Sequence, residues 1–223
     1  MQKFATTAPI VTVLDIPAGR IQFIAADRAD STVEVRPAVA GQRRDVAAAE
    51  RVEVAYADGV LRIGAAKPAH RLLGSSGAVE ITVALPAGSR IEAKLASGEV
   101  RGVGRLGEVV VESALGPVKL DEAAGVRLTL QSGDVTVGRL TGPALISAER
   151  GDLSIGEAVT GEVTLRTAYG HISVGAARGS AASLDAGTTF GRVHNALRND
   201  EGAGAVLAIH ATTEHGDITA RSL

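Results

Sequence analysis

Apolar and polar residues alternate along the second half of this chain in short bursts, and each burst opens on a glycine. The bursts read Gly107-Glu-Val-Val-Val, Gly116-Pro-Val-Lys-Leu, Gly133-Asp-Val-Thr-Val, Gly151-Asp-Leu-Ser-Ile, Gly161-Glu-Val-Thr-Leu and Gly170-His-Ile-Ser-Val. A period of two predicts strands with one buried face. The inward set is Val109/Val111, Val118/Leu120, Val135/Val137, Leu153/Ile155, Val163/Leu165 and Ile172/Val174, with Leu106, Leu115 and Leu140 as a further inward ridge. Glu108, Lys119, Thr136, Ser154, Thr164 and Ser173 face water.

The glycine itself returns about every nine residues, at 98, 107, 116, 125, 133, 142, 151, 161, 170 and 179. Alternate markers, Gly98, Gly116, Gly133, Gly151 and Gly170, lie 18, 17, 18 and 19 residues apart, so two strands make one coil. Stacked coils of ~18 residues define a two-sided β-roll, and a half-dozen of them at ~4.8 Å per coil give a body of roughly 30 Å. A β-meander has no need of so fixed a beat. Each glycine is expected to supply backbone freedom at a tight corner, with the polar residue after it serving turn chemistry.

Alternation also marks residues 10–16, 20–26, 32–36, 51–56, 60–63 and 79–85 as strands that form the first coils and an N-terminal cap. They are interrupted by a short helix over 45–51, with Asp45 as its N-cap, and by the loop from Gly64 to Gly77. Beyond the regular run, Gly191 and Gly216 follow at longer intervals around the inserted loop 199–204, which predicts an irregular last coil. The fold class expected is all-β: a single-stranded, right- or left-handed parallel β-solenoid with irregular capping strands at both ends. It forms one domain over 1–223, with N-terminal strands and cap at 1–90, regular repeat at 91–191, and C-terminal coil and cap at 192–223.

Composition changes this picture in three ways. With 3 Phe, 2 Tyr and no Trp among 223 residues, the core is aliphatic, which suits thin repeated layers. A formal net charge of −2 with interspersed signs gives no footprint for nucleic acid. The chain has no cysteine, which removes disulfides, thiol catalysis and thiolate metal sites. The opening residues lack an apolar segment of the length that export needs, and no stretch is long enough to span a bilayer, so a soluble, cytoplasmic protein without a membrane partner is expected.

The extended opening Val11-Thr-Val-Leu-Asp-Ile-Pro-Ala-Gly19-Arg-Ile, the bridge Val79-Glu-Ile-Thr-Val-Ala-Leu-Pro86-Ala-Gly88 and the turns Ser97-Gly98-Glu99-Val100 and Ser132-Gly133-Asp134-Val135 resemble the bacterial DUF4097 β-strand-repeat family, which carries an adhesin label. The resemblance covers nearly the whole chain and implies a β-solenoid. It implies no active site, cofactor or ligand.

Candidate chemistry is sparse. Glu99, Asp134, Asp152 and Asp217, with Glu108 and Glu162 on the other edge, could stack into carboxylate ladders, but one glycine and at most one carboxylate per corner suit turn chemistry better than calcium nonapeptide binding. The histidines 70, 171, 194, 210 and 215 read as surface residues, although His210 and His215 could share the last coil with Glu214 and Asp217. No Gly-x-Ser-x-Gly elbow and no line of aromatic sugar platforms is seen in the sequence. The segment that does not serve the repeat is the Gly64–Gly77 loop, whose Lys67, His70, Arg71, Leu72 and Leu73 form a basic and apolar tip suited to docking a protein, extended by Arg43, Arg44 and Arg51. The function expected is a non-enzymatic cytoplasmic interaction or assembly scaffold without a cofactor, with a protein partner, monomeric or dimeric. An adhesin-like or carbohydrate-binding module is the alternative, ahead of a carbohydrate-active enzyme.

Overall fold

The computed structural model describes residues 1–65, 77–198 and 206–223. Along the repeat, Val118 lies beside Val135, Val126 beside Ala144 and Leu153 beside Ile172, so each parallel partner comes 17 to 19 residues later. This is the register of a two-stranded coil. Inward residues stack on their counterparts: Val135 and Val137 rest on Leu153 and Ile155, which rest on Ile172 and Val174, all fully buried. Burial of each such side chain stabilises the roll by about 1.5–3 kcal/mol. Leu115, expected inward, is 54% exposed, because it precedes Gly116 at the corner and is carried outside the layer.

Glycine is required along one corner column of the coil, and on the other its need varies from level to level. Gly116 has φ +123°, and a Cβ there would fall 1.8 Å from the carbonyl oxygen of Gly98; a Cβ on Gly151, at φ +139°, would fall 2.2 Å from that of Gly133. At the opposite corner Gly107 and Gly142 keep ordinary backbone angles, but a Cβ there would fall 2.4 Å and 2.3 Å from the carbonyl oxygens of Gly88 and Ala124; Gly161 has φ +97°, and Gly125, with 3.5 Å to the nearest atom, is permissive.

The roll is longer than the regular repeat suggests, because the strands that precede it join the same stack. Among the described residues one layer runs, from end to end, through 60–64, 11–16, 90–95, 108–113, 125–130, 144–150, 161–169, 207–215 and 182–190. Nine levels at ~4.8 Å span roughly 40 Å. Stack order departs from chain order at both ends. The strand Val11–Ala26 is held between Val60–Ala65 with Val79–Pro86 on one side and Arg90–Leu115 on the other. At the far end the C-terminal coil, Leu207–His215 with Ile218–Ser222, is inserted between the coil of Gly161–Tyr169 and Ile172–Ala176 and that of Ala182–Phe190 and Val193–Ala196. The last stretch of sequence is therefore the second coil from the end.

The two ends differ in cover. At the N-terminal side, antiparallel strands lie on the outermost coil, Val52–Ala57 on Val60–Ala65 and Asp30–Pro37 on Val79–Pro86, with Gln2–Ala5 beyond. Leu61, Ile63, Ile81 and Val83 of that coil are consequently buried. The helix forms over Arg43–Glu50 with Gln42 as N-cap, and Asp45 is not the cap. Its buried carboxylate instead accepts the amides of Val39 at 3.2 Å and Ala78 at 3.0 Å, which pins the helix to the start of the Val79 strand.

Candidate interaction surface

The corner that holds the glycine column also carries a polar ladder. The Asp134 carboxylate accepts the amide of Asp152 at 2.9 Å, Asp152 accepts that of His171 at 2.7 Å, His171 Nδ1 accepts that of Asp217 at 2.9 Å, and Asp217 accepts that of Arg192 at 2.8 Å. Each post-glycine side chain thus satisfies a backbone donor in the next coil, as the turn reading expects. On the other side of the glycines, the hydroxyls of Thr167, Thr213 and Thr188 donate to the carbonyls of Gly151, Gly170 and Gly216 at 3.0–3.1 Å. These threonines line an open groove of about 570 Å³ with Arg166 and Glu214, and their donors are already spent.

A third ladder was missed in the sequence. The residue just before the corner glycine is Leu115, Ser132, Arg150, Tyr169, His215 and Phe190 in stacking order. The last three stack face to face: Tyr169 and His215 have ring centroids 4.9 Å apart at 3°, and His215 and Phe190 are 4.8 Å apart at 6°. The Arg150 guanidinium lies 5.8 Å above Tyr169, closing the stack at one end. Aromatic residues therefore do line up on this protein. Because each ring covers the next, the open ring face is the outer face of Phe190, and a platform for several sugars does not result. The sequence signal was available as an aromatic residue before each of the last three corner glycines, but it becomes visible only when position 216 is placed before 191.

Phe190 belongs to the end coil, whose inward positions are poorly covered. Leu184, Ala186 and Thr188 are half-exposed, whereas their register partners Ile209, Ala211 and Thr213 in the coil beneath are buried. On the other layer Val193 is 44% exposed and its partner Ile218 is buried. The rim of this coil carries Arg178, Arg192, Arg198 and Asp185, the last 3.4 Å from His210 Nδ1.

Of the site residues read from the sequence, Lys67, His70, Arg71, Leu72 and Leu73 lie outside the described residues. Arg43, Arg44 and Arg51 are exposed around the helix, with Arg44 bonded to Gln42. His210 and His215 do share a coil with Glu214 and Asp217, where His215 is stacked and Asp217 is engaged with a backbone amide. Among the described residues no helix is long and apolar enough to cross a membrane.

A roll of parallel coils, with a glycine corner column and a capped N-terminal end, defines a β-solenoid of the strand-repeat class. The family model described as Toastrack DUF4097 matches residues 13–222, and the chain belongs to that family. A comparison with curated proteins returns no match. Among solved structures the chain is similar to a putative cell adhesion protein from Clostridium sporogenes ATCC 15579, with 10% identity and TM-score 0.44 over 100% of this chain and 98% of that one. It is also similar to a putative adhesin from Bacteroides fragilis NCTC 9343, with 14% identity and TM-score 0.37 over 98% of this chain and 95% of that one.

Proposed function

We propose that this protein is a non-enzymatic interaction scaffold and that its working surface is the end coil of Ala182–Phe190 and Val193–Ala196, whose inward side chains are half-exposed. The observation that carries the reading is the contrast in burial between Leu184, Ala186 and Val193 in that coil and Ile209, Ala211 and Ile218 in the coil it rests on. Half-exposed apolar side chains at the end of a stack form a surface that a partner can cover. The corner carboxylates, from which a catalytic or metal cluster would be built, are spent on backbone amides, which supports binding over chemistry.

The test is quantitative capture from a lysate of the source cell, with the full chain as bait beside Phe190→Glu. A stoichiometric partner lost with the variant supports the reading. A partner retained equally moves the working surface elsewhere, and the absence of any stoichiometric partner retires the scaffold.

A further inference from the structure

We propose that His210 and His215 form a pH-sensitive lock between the C-terminal coil and the end coil, so that this end of the roll holds more tightly in mild acid than at neutral pH. The lock is a property of the fold and does not depend on a partner at the end coil. Four of the five histidines lie beyond residue 170, and the stretch from 90 to 158 contains none. An ordinary carboxylate keeps its charge between neutral pH and mild acid, whereas an imidazole changes its own there.

His215 lies flat between Tyr169 and Phe190, with ring centroids at 4.9 Å and 4.8 Å and planes within 6° of parallel. A proton turns this ring into a cation held between two π faces, one on each neighbouring coil, and both contacts strengthen. The charged groups around it are balanced. Glu214 and Asp217 flank it in its own coil, Arg192 follows Phe190 in the end coil, and the Arg150 guanidinium lies on the far side of Tyr169, 5.8 Å from that ring. The two rings therefore set the sign.

His210 acts on the strand face. Its Nδ1 lies 3.4 Å from Asp185 Oδ2 on the end coil, a long contact that becomes an ion pair when the imidazole is charged. On its other side the register partner is Thr164, flanked along the same face by Glu162 and Arg166, whose charges oppose each other. Ser183 and Gly187 flank Asp185, so the Asp185 carboxylate is the charge that decides.

His171 works against the lock, but one level lower and weakly. A proton on its Nδ1 removes the acceptor of the Asp217 amide. The ring also sits in the corner ladder between Asp152 and Asp217, whose carboxylates attract the same charge and offset that loss. A bond made only by the protonated ring is complete on the acid side and fades as pH rises. The end coil is therefore fastened on acidification and eased toward neutrality.

Hydrogen exchange read by mass spectrometry on the full chain tests the lock, comparing protection at about pH 5.5 and about pH 7.5 after correction for intrinsic rates. Protection of residues 182–196 is expected to rise about 10-fold at the lower pH, while that of 135–140 in the regular repeat stays level. His215→Phe keeps a ring in the stack without a proton to gain, and His210→Gln keeps a polar side chain beside Asp185. Each variant should retain part of the rise, Asp185→Asn should match His210→Gln, and the double variant His210→Gln with His215→Phe should change less than about 2-fold. A rise that survives in the double variant, a rise shared by 135–140, or no rise at all overturns the proposal. So does a fall in acid over 182–196, which would put the His171 junction in control.

Discussion

The amide of Asp217 donates to Nδ1 of His171 at 2.9 Å, although 46 residues separate them. In the regular repeat the equivalent bond joins Asp134 to Asp152, 18 residues apart. The same bond made over two lengths shows that the corner ladder follows position in the stack and not position in the chain. It also shows how the C-terminal coil is held, by the contacts every other coil makes with its neighbours.

That order is open to a direct check because the chain has no cysteine of its own. Thr164 is the register partner of His210, and His210 is the partner of Asp185, which places Asp185 two strands from Thr164. Thr164→Cys with His210→Cys should form a disulfide readily under mild oxidation, and Thr164→Cys with Asp185→Cys should not, since strands two apart are separated by more than 9 Å. Coils stacked in chain order would give the reverse result on a mobility gel.

Two glycines of the same nine-residue series should respond differently to alanine. Gly151→Ala places a methyl 2.2 Å from the Gly133 carbonyl at a backbone angle that favours glycine. A loss of at least about 3 kcal/mol is expected. At Gly125 the nearest atom to an added Cβ is the Pro143 carbonyl oxygen at 3.5 Å, and the backbone is ordinary. Gly125→Ala should leave stability within about 1 kcal/mol of wild type or raise it, because alanine restricts the unfolded chain. Denaturant midpoints for the two variants decide the matter, and equal losses would contradict the distinction between the two positions.

Much of this architecture was legible in the sequence because alternation and the glycine beat are local signals. Val135/Val137 and Leu153/Ile155 are inward as their spacing requires, and the strands before the repeat enter the same roll. The order of the coils was not legible. Every coil offers the same register and a similar apolar edge, so nothing in the sequence around Gly191 or Gly216 states which edge the C-terminal coil will choose. That choice hid the Tyr169, His215, Phe190 stack as well. Asp45 was misread for a different reason: a carboxylate at a helix start is usually a cap, but this one is turned toward Val39 and Ala78, which come near it only in the folded protein.

Thr12 is a buried polar side chain between aliphatic neighbours. It is fully buried, its register partners Leu61 and Ile91 are buried aliphatic residues, and its hydroxyl has no hydrogen-bond partner among the described residues. Thr12→Val keeps the shape and removes the unpaired oxygen. It should stabilise the protein by about 1 kcal/mol, measured as a raised urea midpoint with an unchanged slope. A lowered midpoint would show that the hydroxyl is satisfied in solution.

The N-terminal cap should loosen in acid through Asp30. Its carboxyl is held down at about 2, from an ordinary value of 3.8, first by the hydrogen bond from Arg28 and then by that from Lys3. Arg28 Nε lies at 2.8 Å and Lys3 Nζ at 3.0 Å, and the latter ties the Gln2–Ala5 strand to Asp30–Pro37. A carboxylate whose folded value is depressed favours the folded state above its unfolded value. The contribution is complete above about pH 4 and is lost as pH falls toward 2. Asp30→Asn lacks the charge at every pH. The variant should therefore be less stable than wild type at neutral pH, and the difference should shrink between pH 4 and pH 2, the interval set by the two values. Paired urea titrations across that interval read the difference directly. A gap that stays constant with pH would mean that Asp30 acts through packing or neutral hydrogen bonds and not through its charge.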